Sequence, residues 1–280
     1  MMNVKQALSY AVNFLAHSEA KIDAEYLLAK VLDKDFTWLK TWADFELSPA
    51  QQTQFLAWLK QRQQGKPIAY IIGEKGFWTL DLYTDESTLI PRAETECLVE
   101  KALDFLVNFS SASVLDLGCG TGAIALAIAS ERAQDEVFAC DFHAGAVALA
   151  KKNAVRNQLP QVTIFQSDWF AAIAEQKITQ TFDLIVANPP YVAADDPHLL
   201  EGDLIFEPNS ALVSKDDGLG DIRHITQHAG RYLNSGGALM IEHGFEQGAL
   251  VRDLFEQAGF KQVETQKDLL THDRLTIGIW

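Results

Sequence analysis

Residues 113–129, SVLDLGCGTGAIALAIA, decide the fold. Ser113 to Leu117 reads as a short buried strand, Gly118 to Gly122 as a glycine loop, and the Ala/Ile/Leu-rich segment from Ala123 to Ala129 as a helix. Glycines let backbone approach a ligand closely and adopt positive φ, which a nucleotide-like cofactor requires at the carboxyl end of a parallel strand. The next strand, Val137 to Cys140, ends in Asp141, about 20 residues on, where a carboxylate can accept hydrogen bonds from both hydroxyls of a ribose. Gly118, Gly120 and Ala123 also satisfy the dinucleotide pattern G-x-G-x-x-G/A, so loop and acid together fit either a dinucleotide or another adenosine-bearing cofactor.

Working outward, strands and helices alternate from Thr95 to Trp280, with strands expected near 114–117, 137–141, 162–167, 182–187 and 237–242. Such alternation means a parallel, doubly wound α/β sheet with ligands at the carboxyl ends of its strands. Two closing runs near 262–267 and 274–280 lack an intervening helix and should pair antiparallel at one edge. The first 65 residues have helical periodicity instead, through Val4, Leu8, Val12 and Leu15, then Ala24, Leu27, Leu28, Val31 and Leu32. Ser48, Pro49 and Gln51 mark a helix start as cap, first-turn proline and capping-box partner, and Gly65-Lys66-Pro67 stops that helix. From Tyr70 to Ile90, glycine, aromatic and β-branched residues suggest a β-hairpin. The expected organisation is a helical domain over 1–74, a hairpin linker over 75–92 and an α/β domain over 93–280.

Asn188-Pro189-Pro190-Tyr191 follows the apolar run Phe182 to Ala187 and suits a planar NH2 group. The nitrogen of such a group is a poor nucleophile, because its lone pair is delocalised, so it must be held by its protons and its flat face. The Asn188 side-chain oxygen and the Pro189 carbonyl are acceptors for the two N–H groups, Pro190 stiffens the turn, and Tyr191 offers a ring for stacking. Asn-Pro-Pro is also a good strand-ending turn. Asp116 within the loop, Asp168-Trp169 after the third strand and this tetrapeptide after the fourth fit S-adenosylmethionine (SAM), and no hydride-transfer constellation accompanies the glycine loop.

Composition narrows the class. The chain has 280 residues, 48% of them hydrophobic, and no apolar run reaches about 18 residues, so a cytoplasmic protein with no membrane span or signal peptide is expected. Cys97, Cys119 and Cys140 have neither zinc spacing nor an even count and read as small buried residues. His224 and His228 lack the glutamate and third ligand of a zinc motif, so no metal is expected. Residues 1–74 carry 8 basic and 8 acidic side chains, which leaves the whole net charge of −15 on residues 75–280. An acidic catalytic part suits a cationic cofactor and disfavours direct nucleic-acid binding, which needs clustered Lys and Arg.

Several motifs together resemble the HemK/PrmC family of protein-(glutamine-N5) methyltransferases. They are Gly76-Phe77-Trp78, Thr88-Leu89-Ile90-Pro91-Arg92 with Glu94-Thr95-Glu96, the DLGCGTG loop, Gln166-Ser167-Asp168-Trp169, NPPY, Phe206-Glu207-Pro208 and Ile241-Glu242-His243-Gly244. The resemblance runs from the N-terminal helices to the last strand, and Ala93 departs from it where the family commonly has a second proline. It implies a class I, Rossmann-like SAM-dependent methyltransferase domain behind a small helical substrate-recognition domain. By the same resemblance Gly118, Cys119, Gly120, Thr121 and Gly122 wrap the methionine part of SAM, Asp141 binds its ribose, and Trp169 packs beside its adenine. Asn188, Pro189, Pro190 and Tyr191 then hold the glutamine of the Gly-Gly-Gln loop of peptide-chain release factors, with S-adenosylhomocysteine as product. Arg92 is either a clamp for a carboxylate or a cover for the hairpin. The alternative function is an amino-group nucleic-acid methyltransferase using the same tetrapeptide on a flipped base.

Overall fold

A computed structural model describes residues 2–175 and 180–280, which fall into two compact units: Met1–Gly73 with Leu200–Phe206, and Glu74–Leu199 with Glu207–Trp280.

The first unit is helical, with α1 (Val4–Leu15), α2 (Ala20–Leu32), α3 (Phe36–Thr41), α4 (Pro49–Gln63) and α5 (Ile68–Ile72). The capping box at Ser48 forms as the sequence predicts, and Asn3 with Gln6 makes a second one at the start of α1. On α1 the buried stripe is Val4, Ala7, Ala11 and Leu15, whereas Val12 is exposed. Small alanines let α1 lie close to α2, so the inner face runs through them, with Leu8 half-buried against the same core and Val12 outside it. Two helices escape the sequence periodicity because they are one or two turns long. α3 is started by the Asp35 carboxylate, which accepts from the Trp38 N–H at 2.6 Å, and α5 is a single turn between Pro67 and Gly73. The short segment Leu200–Phe206 joins this unit because Arg62 pairs with Asp203 at 3.0 Å as well as with Asp23 at 2.6 Å, and Phe206 packs on Gly65.

The second unit opens with the hairpin β1 (Glu74–Phe77) and β2 (Leu80–Tyr83), which turns at Trp78. It continues through α6 (Glu96–Leu106), β3 (Ser113–Leu117), α7 (Ala123–Glu131), β4 (Glu136–Asp141), α8 (Ala144–Arg156), β5 (Thr163–Gln166), α9 (Ala171–Glu175) and β6 (Phe182–Ala187). After short 3-10 turns come α10 (Lys215–Gly218), α11 (Gly220–Ala229), β7 (Leu233–Glu242), α12 (Gly248–Ala258), β8 (Lys261–Lys267) and β9 (Asp273–Ile279). Seven strands form one sheet in the order β5-β4-β3-β6-β7-β9-β8. β9 is antiparallel to β8, as expected, and is inserted between β8 and β7.

Side-chain alternation along the strands divides the core between the two faces of the sheet: Val114, Leu184 and Val186 point to one, Leu115, Leu117, Ile185 and Ile241 to the other. Register sets the functional edge. Leu117 is level with Cys140 and Ala187, and Ala187 with Ile241, so Gly118, Asp141, Asn188 and Glu242 leave the sheet in one row at the carboxyl ends of parallel strands. No helix among the described residues is long and apolar enough to cross a membrane.

Candidate active site

A cavity of about 430 Å³ opens above that row. Its walls are the glycine loop from Gly118 to Thr121, Asp141 at the end of β4, Asp168 and Trp169 after β5, the strip Thr88, Leu89, Pro91 and Arg92, and Thr95, Asn188 and Pro190. Gly122 is not in the wall. It starts α7 at φ 83°, where an added Cβ would come within 3.2 Å of Ala150 and Leu126, so its freedom serves the packing of the loop.

Hydrogen bonds rather than bulk hold the loop. The Gly118 and Cys119 N–H groups both donate to the Cys140 carbonyl at 2.9 Å, and the Asp141 carboxylate accepts from the N–H groups of Gly120 at 2.9 Å and His143 at 2.8 Å. Asp141 therefore clips the glycine loop to the end of β4 while still facing the cavity with further lone pairs. Asn153, wholly buried on α8, donates to the carbonyls of Thr121 and Tyr83 and accepts from the Tyr83 N–H, which ties loop and hairpin together. Asp116 is fully buried; its Oδ2 accepts from the Ala125 N–H in the first turn of α7 at 3.1 Å, and its Oδ1 has no partner among the described residues. Burial, together with the charge of Asp141, pushes the Asp116 carboxyl up to about 7 against the pull of that one hydrogen bond.

Trp169 stands at φ 46°, a left-handed conformation that costs a non-glycine residue about 1–3 kcal/mol. Ser167 stabilises it: the Ser167 hydroxyl donates to the Trp169 carbonyl at 2.6 Å and accepts from the Ala172 N–H at 3.0 Å. The turn lays the indole over Gly118, where an added Cβ would meet the ring at 3.4 Å. Asp168 is exposed on the same wall. Beneath, the Cys140 thiol reaches the Trp169 carbonyl at 3.6 Å and burial pushes its pKa far up, in keeping with an inert packed cysteine.

At the other end of the cavity, the Asn188 amide nitrogen donates to the Thr95 hydroxyl at 3.2 Å, and no donor among the described residues reaches its Oδ1. Asn188 and Pro190 line the cavity; between them Pro189 is buried, and Tyr191 is half-buried. Tyr191 packs on Gly244 and on the core of the sheet face that holds Leu117 and Ile241, and its carbonyl accepts from Gln247 at 3.0 Å. Gly218, at φ 85°, comes so close that an added Cβ would sit 2.3 Å from the Tyr191 carbonyl oxygen. Burial and the Glu242 charge push the Tyr191 phenol up to about 12, so it stays protonated. Arg92 pairs with Glu207, whose other oxygen accepts from the Ile90 N–H at 3.1 Å, so this guanidinium fixes one wall.

The structure thus brings the predicted glycine loop, Asp141, Trp169 and Asn188 around one space. The sequence by itself assigns no role to Thr95, Asn153, Ser167, Glu207 or Glu242. All but Asn153 lie inside the motifs that carry the family resemblance, but only the folded chain shows what they hold. His224 and His228 stack on each other at 4.4 Å, and among the described residues no group of three metal-ligating side chains occurs.

Residues 6–73 match the PrmC N-terminal domain and residues 95–267 the methyltransferase small domain. A release factor glutamine methyltransferase of Xylella fastidiosa (strain 9a5c) is 50% identical over 258 residues, 92% of each chain. The chain belongs to the release factor glutamine methyltransferase family. Its Escherichia coli (strain K12) relative of that name is 44% identical over 99% of both chains. A 16S rRNA methyltransferase of Thermus thermophilus, solved with AdoMet and guanosine, shares the fold with a TM-score of 0.53 at 20% identity, over 74% of this chain and 49% of that one. Membership makes this α/β unit a SAM-dependent methyltransferase domain, and the cavity fits such a group chemically. A sulfonium and an α-amino group are cations, and the carboxylates of Asp141, Asp168 and Asp221 line the space, with Asp116 buried under the loop.

Proposed function

We propose that this protein methylates the side-chain amide nitrogen of the glutamine in the Gly-Gly-Gln motif of peptide-chain release factors, with SAM as donor. The observation that carries the reading is Asn188: its amide nitrogen is tied down, and its oxygen is left as an acceptor on a cavity that begins at the glycine loop. In this reading Gly118 to Thr121, Asp141 and Trp169 hold the cofactor, Gly122 shapes the loop, and Asn188 to Tyr191 hold the glutamine. Bound there, SAM supplies an electrophilic methyl group on a positively charged sulfur.

Asn188 Oδ1 and the Pro189 carbonyl accept the two amide protons and so favour the geometry in which nitrogen develops positive charge. Tyr191 contributes by fixing the turn from behind, held by Gly218 and Gln247, rather than as a free stacking ring. Alignment makes the transfer effectively unimolecular, and no strong base is needed before attack. As the N–C bond forms, the S–C bond breaks with its electron pair going to sulfur, and the nitrogen afterwards releases one proton to water. The acidic charge of residues 75–280 supports a protein rather than a polynucleotide substrate. The helical unit is assigned the docking of release factor. The test is methyl transfer from labelled SAM to a purified release factor and, in parallel, to DNA and RNA oligonucleotides. Label on the protein alone is expected, and label on the oligonucleotides alone would overturn the proposal.

A further inference from the structure

Glu242 is 2% exposed, does not line the cavity, and lies at the carboxyl end of β7. The pairing of Ala187 with Ile241 puts it beside Asn188 on the neighbouring strand. The Thr95 hydroxyl, which receives the Asn188 amide nitrogen, and the Asn188 side chain both lie against this carboxylate and favour its charged form, while its Oε2 is buried with no partner among the described residues. A carboxylate in that position weakens the fold, since an incompletely paired buried charge costs more than an apolar side chain of the same size. Its consequence lies at the amide it touches. An ionised carboxylate only accepts hydrogen bonds, so it dictates which end of a neighbouring amide turns inward.

We infer that Glu242 is a positioning residue for methyl transfer: acting directly and through Thr95, it holds Asn188 with nitrogen inward and Oδ1 towards the acceptor glutamine. This inference rests on the proposed function for its substrate, but the orientation of Asn188 is a property of the protein by itself. Polarisation adds to orientation. Negative charge on Glu242 draws the Asn188 N–H bonds and enriches Oδ1, which strengthens it as acceptor for a nitrogen becoming positive. The groups facing Glu242 are Arg274 of β9, Glu94 of the turn before α6, Cys97 of α6 and Tyr191 after β6. Burial pushes its carboxyl up to about 7, opposed by Thr95, Arg274 and Asn188 and assisted by Glu94. The carboxylate is therefore present above that pH and absent below it.

Two measurements on the full chain test this. In the first, the side-chain amide resonances of Asn188, identified by their absence from Asn188→Ala, are followed by nitrogen-15 NMR across neutral pH. They should shift with a one-proton transition near 7 that Glu242→Gln lacks; resonances that do not move, or move identically in the variant, overturn the inference. In the second, kcat with release factor and SAM saturating should fall about 10-fold or more in Glu242→Gln, with SAM affinity and the KM for release factor within about threefold of native. The native rise of kcat with pH through 7 should be absent from the variant. Thr95→Val should have the same effect, and the double variant should lose no more than the worse single one, because both act on one amide. Multiplicative losses, or loss of SAM binding in step with kcat, would make Glu242 a fold residue and overturn the inference. If the native chain methylates no release factor, the proposed function fails, while the NMR result still decides the orientation of Asn188.

Discussion

Replacing Asp141 separates two tasks that its carboxylate performs together. Its oxygens accept one N–H each, from Gly120 at 2.9 Å and His143 at 2.8 Å, and the remaining lone pairs face the cavity. A hydrogen bond to a charged group contributes about 1.5–3 kcal/mol. In Asp141→Ala both N–H groups lose their acceptor, but they border a cavity that water enters, so a loss of about 2–3 kcal/mol in the ligand-free protein is expected, not the full sum. At about 2–4 °C per kcal/mol for a domain of this size, melting should fall by roughly 4–12 °C. If the ribose hydroxyls of SAM use the other lone pairs, affinity drops by a further 1.5–3 kcal/mol, about 10- to 150-fold in Kd. Asp141→Asn keeps one acceptor and presents an NH2 group to the other N–H, so it should be intermediate in stability and nearly as weak as alanine in binding. Calorimetric titration with SAM, alongside thermal denaturation of the ligand-free proteins, resolves the two effects. NAD should give no binding heat. Lower melting with native SAM affinity would refute the ribose role and leave Asp141 as a clip for the loop.

Asp116→Asn should remove a pH dependence of stability. The folded carboxyl sits at about 7, above the ordinary value near 4, so the native chain keeps its full stability only below about 4 and loses on the order of 4 kcal/mol as pH rises through 7. Urea denaturation at pH 5 and pH 8 should show the variant gaining on the native chain, and equal slopes would contradict the assignment. Gly218→Ala forces a Cβ to within 2.3 Å of the Tyr191 carbonyl and strains a backbone at φ 85°. A loss of about 3 kcal/mol or more with slowed methyl transfer is expected by denaturation and rate assay. A chain starting near Glu74, shown to be folded by near-ultraviolet circular dichroism, should bind SAM yet methylate intact release factor far more slowly than the full chain. Equal rates would remove recognition from the helical unit.

Much of the sheet was legible because its strands are buried runs bounded by glycine, proline and acidic residues. Phe182–Ala187 is predicted and observed with the same ends, and Ser113–Leu117 runs into its glycine loop as read. What escaped depended on partners distant in sequence. β7 begins at Leu233 instead of 237 because its first residue pairs with Phe182 across a bulge, which alternation within the strand does not reveal. The insertion of β9 between β7 and β8 is likewise a choice among neighbours that two short runs leave open. At the site, local patterns named the glycine loop, Asp141, Trp169 and Asn188, since each chemistry is carried by adjacent residues. The supports were silent: Thr95 and Glu242 stand 93 and 54 positions from Asn188 and meet it only in the folded chain, Glu242 through strand register and Thr95 from the turn before α6. Tyr191 shows the opposite case, a residue whose type suggests stacking and whose packing puts it behind the wall.

The central claim is that a glutamine side-chain amide is methylated at a site organised by Asn188. Its most direct test is fragmentation mass spectrometry of a release factor after incubation with methyl-labelled SAM and either the native protein or Asn188→Ala. The expected result is one methyl group on the side-chain nitrogen of the Gly-Gly-Gln glutamine, formed about 10² times more slowly by the variant while its SAM affinity stays near native. A methyl group on any other residue, or equal rates for the two proteins with SAM saturating, would contradict it.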